Sequence, residues 1–333
     1  MDGIGPYDED LVETVTSPDD LPAPSPADAK QAEAVFIVGV SRSGTTLLRR
    51  ILDRHPLLGI ATENHYLGHL LPWEGARHYF RRVGDLHDDA AVRDLVELIY
   101  SGRFQARSRL REVSPYWRWL TSKVPREDIE TRLLASDRTE RGVFEAFLRT
   151  YADRRGKAII GEKTPAHLAY VETLLDWFPD GRIVHMIRDP RAIYVSEVRR
   201  HAEPGTTVPY RWLARIPRSM GAFVLAQVVW TWAAAVRRHR ALARRYPDRY
   251  LAIRFEDLVS QPESTVERIC AHIGIEQVPR MLEQKVTSKG AMVGQAGFDA
   301  DAADRWKDRI SPTDRRLIEW LLGRRLVSMG YDD

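Results

Sequence analysis

Cysteine occurs once in the 333 residues, at Cys270, so no internal disulfide can form and nothing points to an oxidising compartment. Lysine is scarce too: only seven of the 50 lysine and arginine residues are lysines. Against 47 acidic residues the net charge is +3, too balanced to imply a nucleic-acid partner. No apolar run approaches the roughly 18 residues of a membrane span, and the N-terminus is not basic and then apolar as a signal peptide would be. It is acidic instead, with Asp2, Asp8, Glu9, Asp10, Asp19 and Asp20 interleaved with five prolines, and reads as a flexible tail over 1–33. The ten histidines form no zinc signature, so no metal is expected. No internal repeat is apparent.

What is present is concentrated at Gly39 to Thr46, which reads GVSRSGTT. The apolar run Ala34 to Val38 precedes it, and the helical pattern Leu47, Leu48, Ile51, Leu52 follows. A strand, a glycine loop and a helix N-terminus converge backbone N–H groups and the helix dipole on a phosphate. The spacing G-x-x-x-x-G is that of a nucleoside triphosphate loop, but Thr45 stands where such a loop needs its lysine. Arg42 supplies a charge that can fork across two anionic oxygens. The ligand is therefore phosphate-like and not expected to be ATP.

Further strands are predicted at 158–160, 183–187 and 250–253, each short, apolar and bounded by turn residues. Strands alternating with helices predict a parallel sheet with ligands at the strand C-terminal ends. Helical patterns at 92–100, 129–134 and 143–151 fall in a long insert, about 64–157, expected to cap the sheet edge and shape an acceptor pocket. Residues 201–220, rich in Pro and Gly, read as a loop or lid, and a helix resumes from Gly221 to Arg245. Trp230 and Trp232 on that helix read as core or ligand-side packing, and Cys270 as a buried residue of an amphipathic helix.

Four blocks carry a family resemblance. They are VFIVGVSRSGTTLLRRILDRHPLLGIATE (Val35 to Glu63), GEKTP (Gly161 to Pro165), RIVHMIRDPRAIYVSEVRR (Arg182 to Arg200) and YLAIRFEDLVSQPESTVERICAHIGI (Tyr250 to Ile275). In this order they resemble sulfotransferases that use 3′-phosphoadenosine 5′-phosphosulfate (PAPS), and are most similar to the tyrosylprotein sulfotransferase-like bacterial branch. The resemblance implies an α/β fold with a P-loop-like central parallel sheet flanked by helices, a single domain over 34–333, and the helical cap. It implies sulfuryl transfer from PAPS to an acceptor hydroxyl, leaving 3′-phosphoadenosine 5′-phosphate (PAP).

By that resemblance Arg42, Ser43, Gly44, Thr45 and Thr46 hold the 5′-phosphosulfate. Arg188, Ser196 and Arg200 hold the 3′-phosphate, and Ser288 and Arg305 align more loosely with nucleotide contacts. Lys163 matches the cation at the leaving phosphate. Glu63 matches the general base, in a role that an apolar pocket raising its pKa would favour, and His65 is the rival base. Bland readings compete: Glu63 as a cap or ion-pair partner, Lys163 as a solvated lysine, and Asp189 with Arg191 as a structural ion pair. Pro190 stands where the family often has glycine, which stiffens the turn. The absence of anchor and disulfides departs from the secretory-pathway members and favours a cytoplasmic bacterial setting, a small-molecule hydroxyl acceptor and no membrane partner, with a homodimer left open. A kinase-like phosphotransferase and a non-catalytic PAP sensor are the competing classes.

Overall fold

Five short apolar runs form strands: β1 (Ala34–Gly39), β2 (Leu58–Ala61), β3 (Ile159–Lys163), β4 (Arg182–Ile187) and β5 (Tyr250–Arg254). The computed structural model describes residues 31–68, 83–101, 120–202, 219–284 and 297–331. Most of the expected tail, residues 203–218 of the lid expected over 201–220, and Ser288 lie outside the described residues. All five strands are parallel, in the order β2-β3-β1-β4-β5. Nearly every strand residue is buried, as a parallel sheet covered on both faces requires. Four strands match those the sequence predicts. β2 is the exception, because the four-residue run LGIA carries too little pattern to separate it from a loop.

Among the described residues the helices are α1 (Thr45–Asp53), α2 (Asp89–Ser101), α3 (Arg126–Leu134), α4 (Glu140–Asp153), α5 (Val171–Trp177), α6 (Pro190–Ala202), α7 (Ser219–Arg245), α8 (Phe255–Ser260), α9 (Pro262–Ile273), α10 (Pro312–Leu322) and α11 (Arg324–Val327). The period of two in β1 divides the core. Val35 and Ile37 face α1, α8 and α9, whereas Phe36 and Val38 face α4, α5 and α7. Burying one such Ile, Val or Phe contributes about 1.5 to 3 kcal/mol, so both helical layers are tied to the same strand. Cys270 is buried on α9, as expected.

The 27-residue α7 is long and apolar enough to cross a membrane by length and composition alone, which the reading of apolar runs does not anticipate. Here it packs against α6, β5 and α10, and buries Val228, Trp232, Ala235 and Val236. Of the two places expected for Trp230, the core is excluded: it is 67% exposed, two residues and about 200° of helix away from the buried Trp232.

Strand order positions the site. From β1 the chain builds β2 and β3 on one side, then crosses to β4 and β5 on the other. The C-terminal end of β1 is thereby a switch point, flanked by the end of β3 at Lys163 and the end of β4 at Ile187. Ligands of open α/β sheets bind in the crevice at such a point.

Candidate active site

The loop leaving β1 is built around a helix N-terminus that no side chain caps. Residue Gly44 caps α1 in a left-handed conformation, φ +93°, with no side-chain cap, and no acidic residue occupies the first turn. In contrast, α4 and α10 are capped by the Thr139 and Ser311 hydroxyls. The uncapped N–H groups and the dipole leave α1 as an anion receptor. A Cβ at Gly44 would stand 2.4 Å from the Phe255 ring, so no larger residue fits. Ser43 is fully buried and its Oγ has no hydrogen-bond partner among the described residues. Such an orphan costs about 1 to 3 kcal/mol unless a ligand accepts it, and the residues present therefore fit a phosphate-bearing group. Thr45 is buried at the helix start, while Thr46 and Arg42 are exposed. Arg42 adopts φ +68°, uncommon for a side-chain-bearing residue, and donates through Nε to Ser196 Oγ at 3.0 Å.

Beyond β4 a second cationic group closes on the same loop. Arg188 is partly buried, lies 4.1 Å from the Phe255 ring centroid, and donates to the Arg42 carbonyl at 3.2 Å and the Ala302 carbonyl at 3.0 Å. Its Nε has no partner among the described residues. Burial lowers its pKa, against the favourable charge of Glu256, so the guanidinium would gain from an anion. The turn is held firmly. Trp232 donates to the Arg188 carbonyl at 2.9 Å, Glu256 accepts the Asp189 N–H at 3.1 Å, and Asp189 and Arg191 form the expected buried ion pair at 2.9 Å. Ser196, one face of α6 below, meets Arg42 as described. Arg200 is 48% exposed and 3.7 Å from Glu197, which in turn accepts from Ser41 Oγ at 2.9 Å. Arg305 pairs with Asp299 on the segment whose Ala302 contacts Arg188.

The third group lies at β3. Lys163 is only 5% exposed and forms an ion pair with Glu63, which excludes the reading of a solvated lysine. His65 Nε2 lies 3.5 Å from the second oxygen of Glu63, so both candidate bases and the candidate cation are together. Burial would raise the Glu63 pKa, but the hydrogen bonds and charges of His65 and Lys163 outweigh it and bring it down to about 2. The condition of an apolar pocket that raises the pKa is therefore not met: Glu63 is buried beside a cation. Burial lowers the Lys163 pKa, opposed by Glu63. Phe255 and Glu256 were not among the residues expected at the site and, like Trp232, shape it through tertiary packing; the FED run after β5 is the local signal for the first two.

Residues 34–279 match the family model described as "Sulfotransferase family". The chain is 28% identical over 259 residues to an omega-hydroxy-beta-dihydromenaquinone-9 sulfotransferase of Mycobacterium bovis, covering 72% of this chain and 62% of that protein. It is 23% identical over 311 residues to the nodulation protein NoeE of Sinorhizobium fredii, covering 89% of this chain and 65% of that one. The match thus spans under two thirds of either relative. A sulfotransferase domain from the curacin biosynthetic pathway shares the fold at a TM-score of 0.50 and 19% identity, over 88% of this chain and 98% of that one.

Proposed function

The chain belongs to the sulfotransferase family, and from that membership we propose that it moves a sulfuryl group from PAPS to an acceptor hydroxyl. The observation that carries the reading is the convergence of an uncapped α1 N-terminus with an orphaned Ser43 hydroxyl, the underpartnered Arg188 and the buried Lys163–Glu63 pair, at the ends of three adjacent strands. When bound, PAPS supplies a sulfuryl group on a phosphate leaving group.

The α1 N–H groups, Ser43, Thr45, Thr46 and Arg42 bind the 5′ end, and Gly44 lets the backbone approach. Arg188, Ser196 and Arg200 bind the 3′-phosphate, and Arg305 is a looser nucleotide contact. Glu63 takes the proton of the acceptor hydroxyl at a carboxylate oxygen, and Lys163 neutralises negative charge at the loop. In the free enzyme these two neutralise each other, which keeps both charged while buried. An anion at the loop competes for Lys163, and a carboxylate released from its cation becomes a stronger base. Arg42, Arg188 and Lys163 supply the positive charge, so the reading requires no metal: activity should persist in EDTA, and loss restored by magnesium would favour a phosphotransferase.

Residues 34–333 form a single catalytic domain in this reading, and the insert about 64–157 walls the acceptor pocket. A small-molecule hydroxyl is the acceptor class, in a cytoplasmic setting. The test is a thermal shift panel followed by labelled PAPS. PAP should raise the unfolding temperature and ATP should not, and label should pass to a hydroxyl acceptor such as 4-nitrophenol. Stabilisation by PAP with no PAP release from PAPS would leave a sensor, and stabilisation by ATP alone would overturn the assignment.

A further inference from the structure

Next to Lys163 on β3 is a carboxylate that the proposed chemistry does not use. Glu162 is 1% exposed and, being one residue away on a strand, faces opposite to Lys163. Its Oε2 accepts the Thr164 hydroxyl at 2.6 Å, and its Oε1 meets His167 Nδ1. Thr164 and His167 are both fully buried. Each then reaches across to the loop that carries Glu63. Thr164 Oγ1 accepts the Asn64 N–H at 3.2 Å, and His167 Nε2 accepts the Leu67 N–H at 3.2 Å.

The proton positions follow from the partners. A backbone N–H only donates, so Nε2 of His167 carries a lone pair and Nδ1 carries the proton given to Glu162. Thr164 gives its hydroxyl proton to Glu162 and receives from Asn64. Asn64 Oδ1 accepts the Tyr66 N–H at 2.9 Å, so the N–H groups of residues 64, 66 and 67 are all committed. Between them His65 is held at φ +50°, a conformation that a non-glycine residue keeps only when its surroundings impose it.

We propose that Glu162, acting through Thr164 and His167, is the positioning residue for Glu63. The inference rests on the reading of Glu63 as the base. The ion pair with Lys163 holds the Glu63 side chain in the free enzyme, but it is the contact that bound anion weakens. The backbone clamp survives that exchange, because neither Thr164 nor His167 touches the anion-binding groups described above. One strand therefore grips the loop twice, from opposite faces, by a contact that yields and a contact that stays. A base misplaced by about 1 Å can lose a hundredfold in rate.

Glu162→Gln keeps the volume but puts an amide NH2 against one of two donors, so one arm of the clamp opens. The readout is PAP released from PAPS, to 4-nitrophenol or to water, in the full chain, with the PAP affinity of each variant by calorimetry. Glu162→Gln should lower release at least tenfold and leave PAP affinity within about twofold. Combined with Glu63→Gln, it should add almost nothing, because two residues acting through one base are not additive. If the Gln variant does not fold, Thr164→Val should reproduce the loss, and Thr164→Ser should retain most of the activity.

The proposal is overturned if Glu162→Gln keeps more than half the wild-type rate, if its loss multiplies with that of Glu63→Gln, or if PAP affinity falls in step. In each of these cases the base reading stands. Full activity of Glu63→Gln alone would overturn the base reading first, and the positioning role with it.

Discussion

Glu63, with its pKa brought down to about 2, is ionised throughout the neutral range in the free enzyme. Its contribution to stability is complete above the ordinary carboxylate value and is lost as pH falls toward 2. The kcat/KM profile reports the free enzyme, so it should show no limb from Glu63 between about pH 5 and 8. Replacing Lys163 with Met removes the cation and leaves burial and His65, so the Glu63 pKa should rise and an acid limb should move up the pH axis. Glu63→Gln should lower PAP release about a hundredfold with PAP affinity nearly unchanged, measured by labelled PAPS turnover and calorimetry. Retention of activity in Glu63→Gln with loss in His65→Ala would transfer the role to His65. Gly44→Ala tests the loop by sterics: φ +93° and the clash of the added Cβ with the Phe255 ring should cost about 1 to 3 kcal/mol in urea unfolding and weaken PAP.

At the scale of elements, the turn from β4 into α6 is the most heavily tied segment near the site. Trp232 holds its carbonyl, Glu256 its N–H, and Arg191 its aspartate, so Arg188 is presented on a fixed backbone. Removing a charge-assisted contact typically costs about 1.5 to 3 kcal/mol, so Arg188→Ala should weaken PAP roughly tenfold or more. Arg188→Lys keeps the charge but loses the fork, and should recover only part of it. Unchanged PAP affinity in calorimetry would remove Arg188 from the 3′-phosphate site. Pro190 begins α6, where its missing N–H is harmless and its fixed φ suits the first helical residue.

The whole molecule has an acid sensitivity built into its core. His239 and His272 are buried, and burial first, with Arg240 and Arg182 adding repulsion, lowers their pKa values to about 4 and about 3. Both remain neutral when folded, whereas the unfolded chain takes up protons near pH 6.5. The stability they allow is complete above pH 6.5 and is lost as pH falls through the window down to about 4 and 3. Urea midpoints should therefore fall from pH 7 to pH 4. His239→Gln and His272→Gln should flatten that fall, even if they lower the midpoint at pH 7. A variant that keeps the full wild-type slope would exclude its histidine as a source.

Much of the site was legible in local sequence because the chemistry of a phosphate loop is local. A strand, Gly39, Gly44 and a helix start are contiguous, so GVSRSGTT shows both the strand-to-helix loop and the missing lysine. The alternation of apolar runs with helical periods likewise fixed four strands and the parallel class. What the sequence alone could not decide depended on residues far apart in the chain. Burial, the nearby His65 and a lysine 100 residues away together set the Glu63 pKa, and neither the burial nor a contact of that span carries a periodic signal. Trp230 and Trp232 share a helix and a residue type, and only packing against α6, β5 and α10 decides which is buried. Glu162 carries no local signal within GEKTP, and only the fold brings Asn64 and Leu67 to its partners. Local hydrogen bonding and periodicity act within a few residues and are written in sequence. Burial and long-range pairing exist only once the chain has closed on itself.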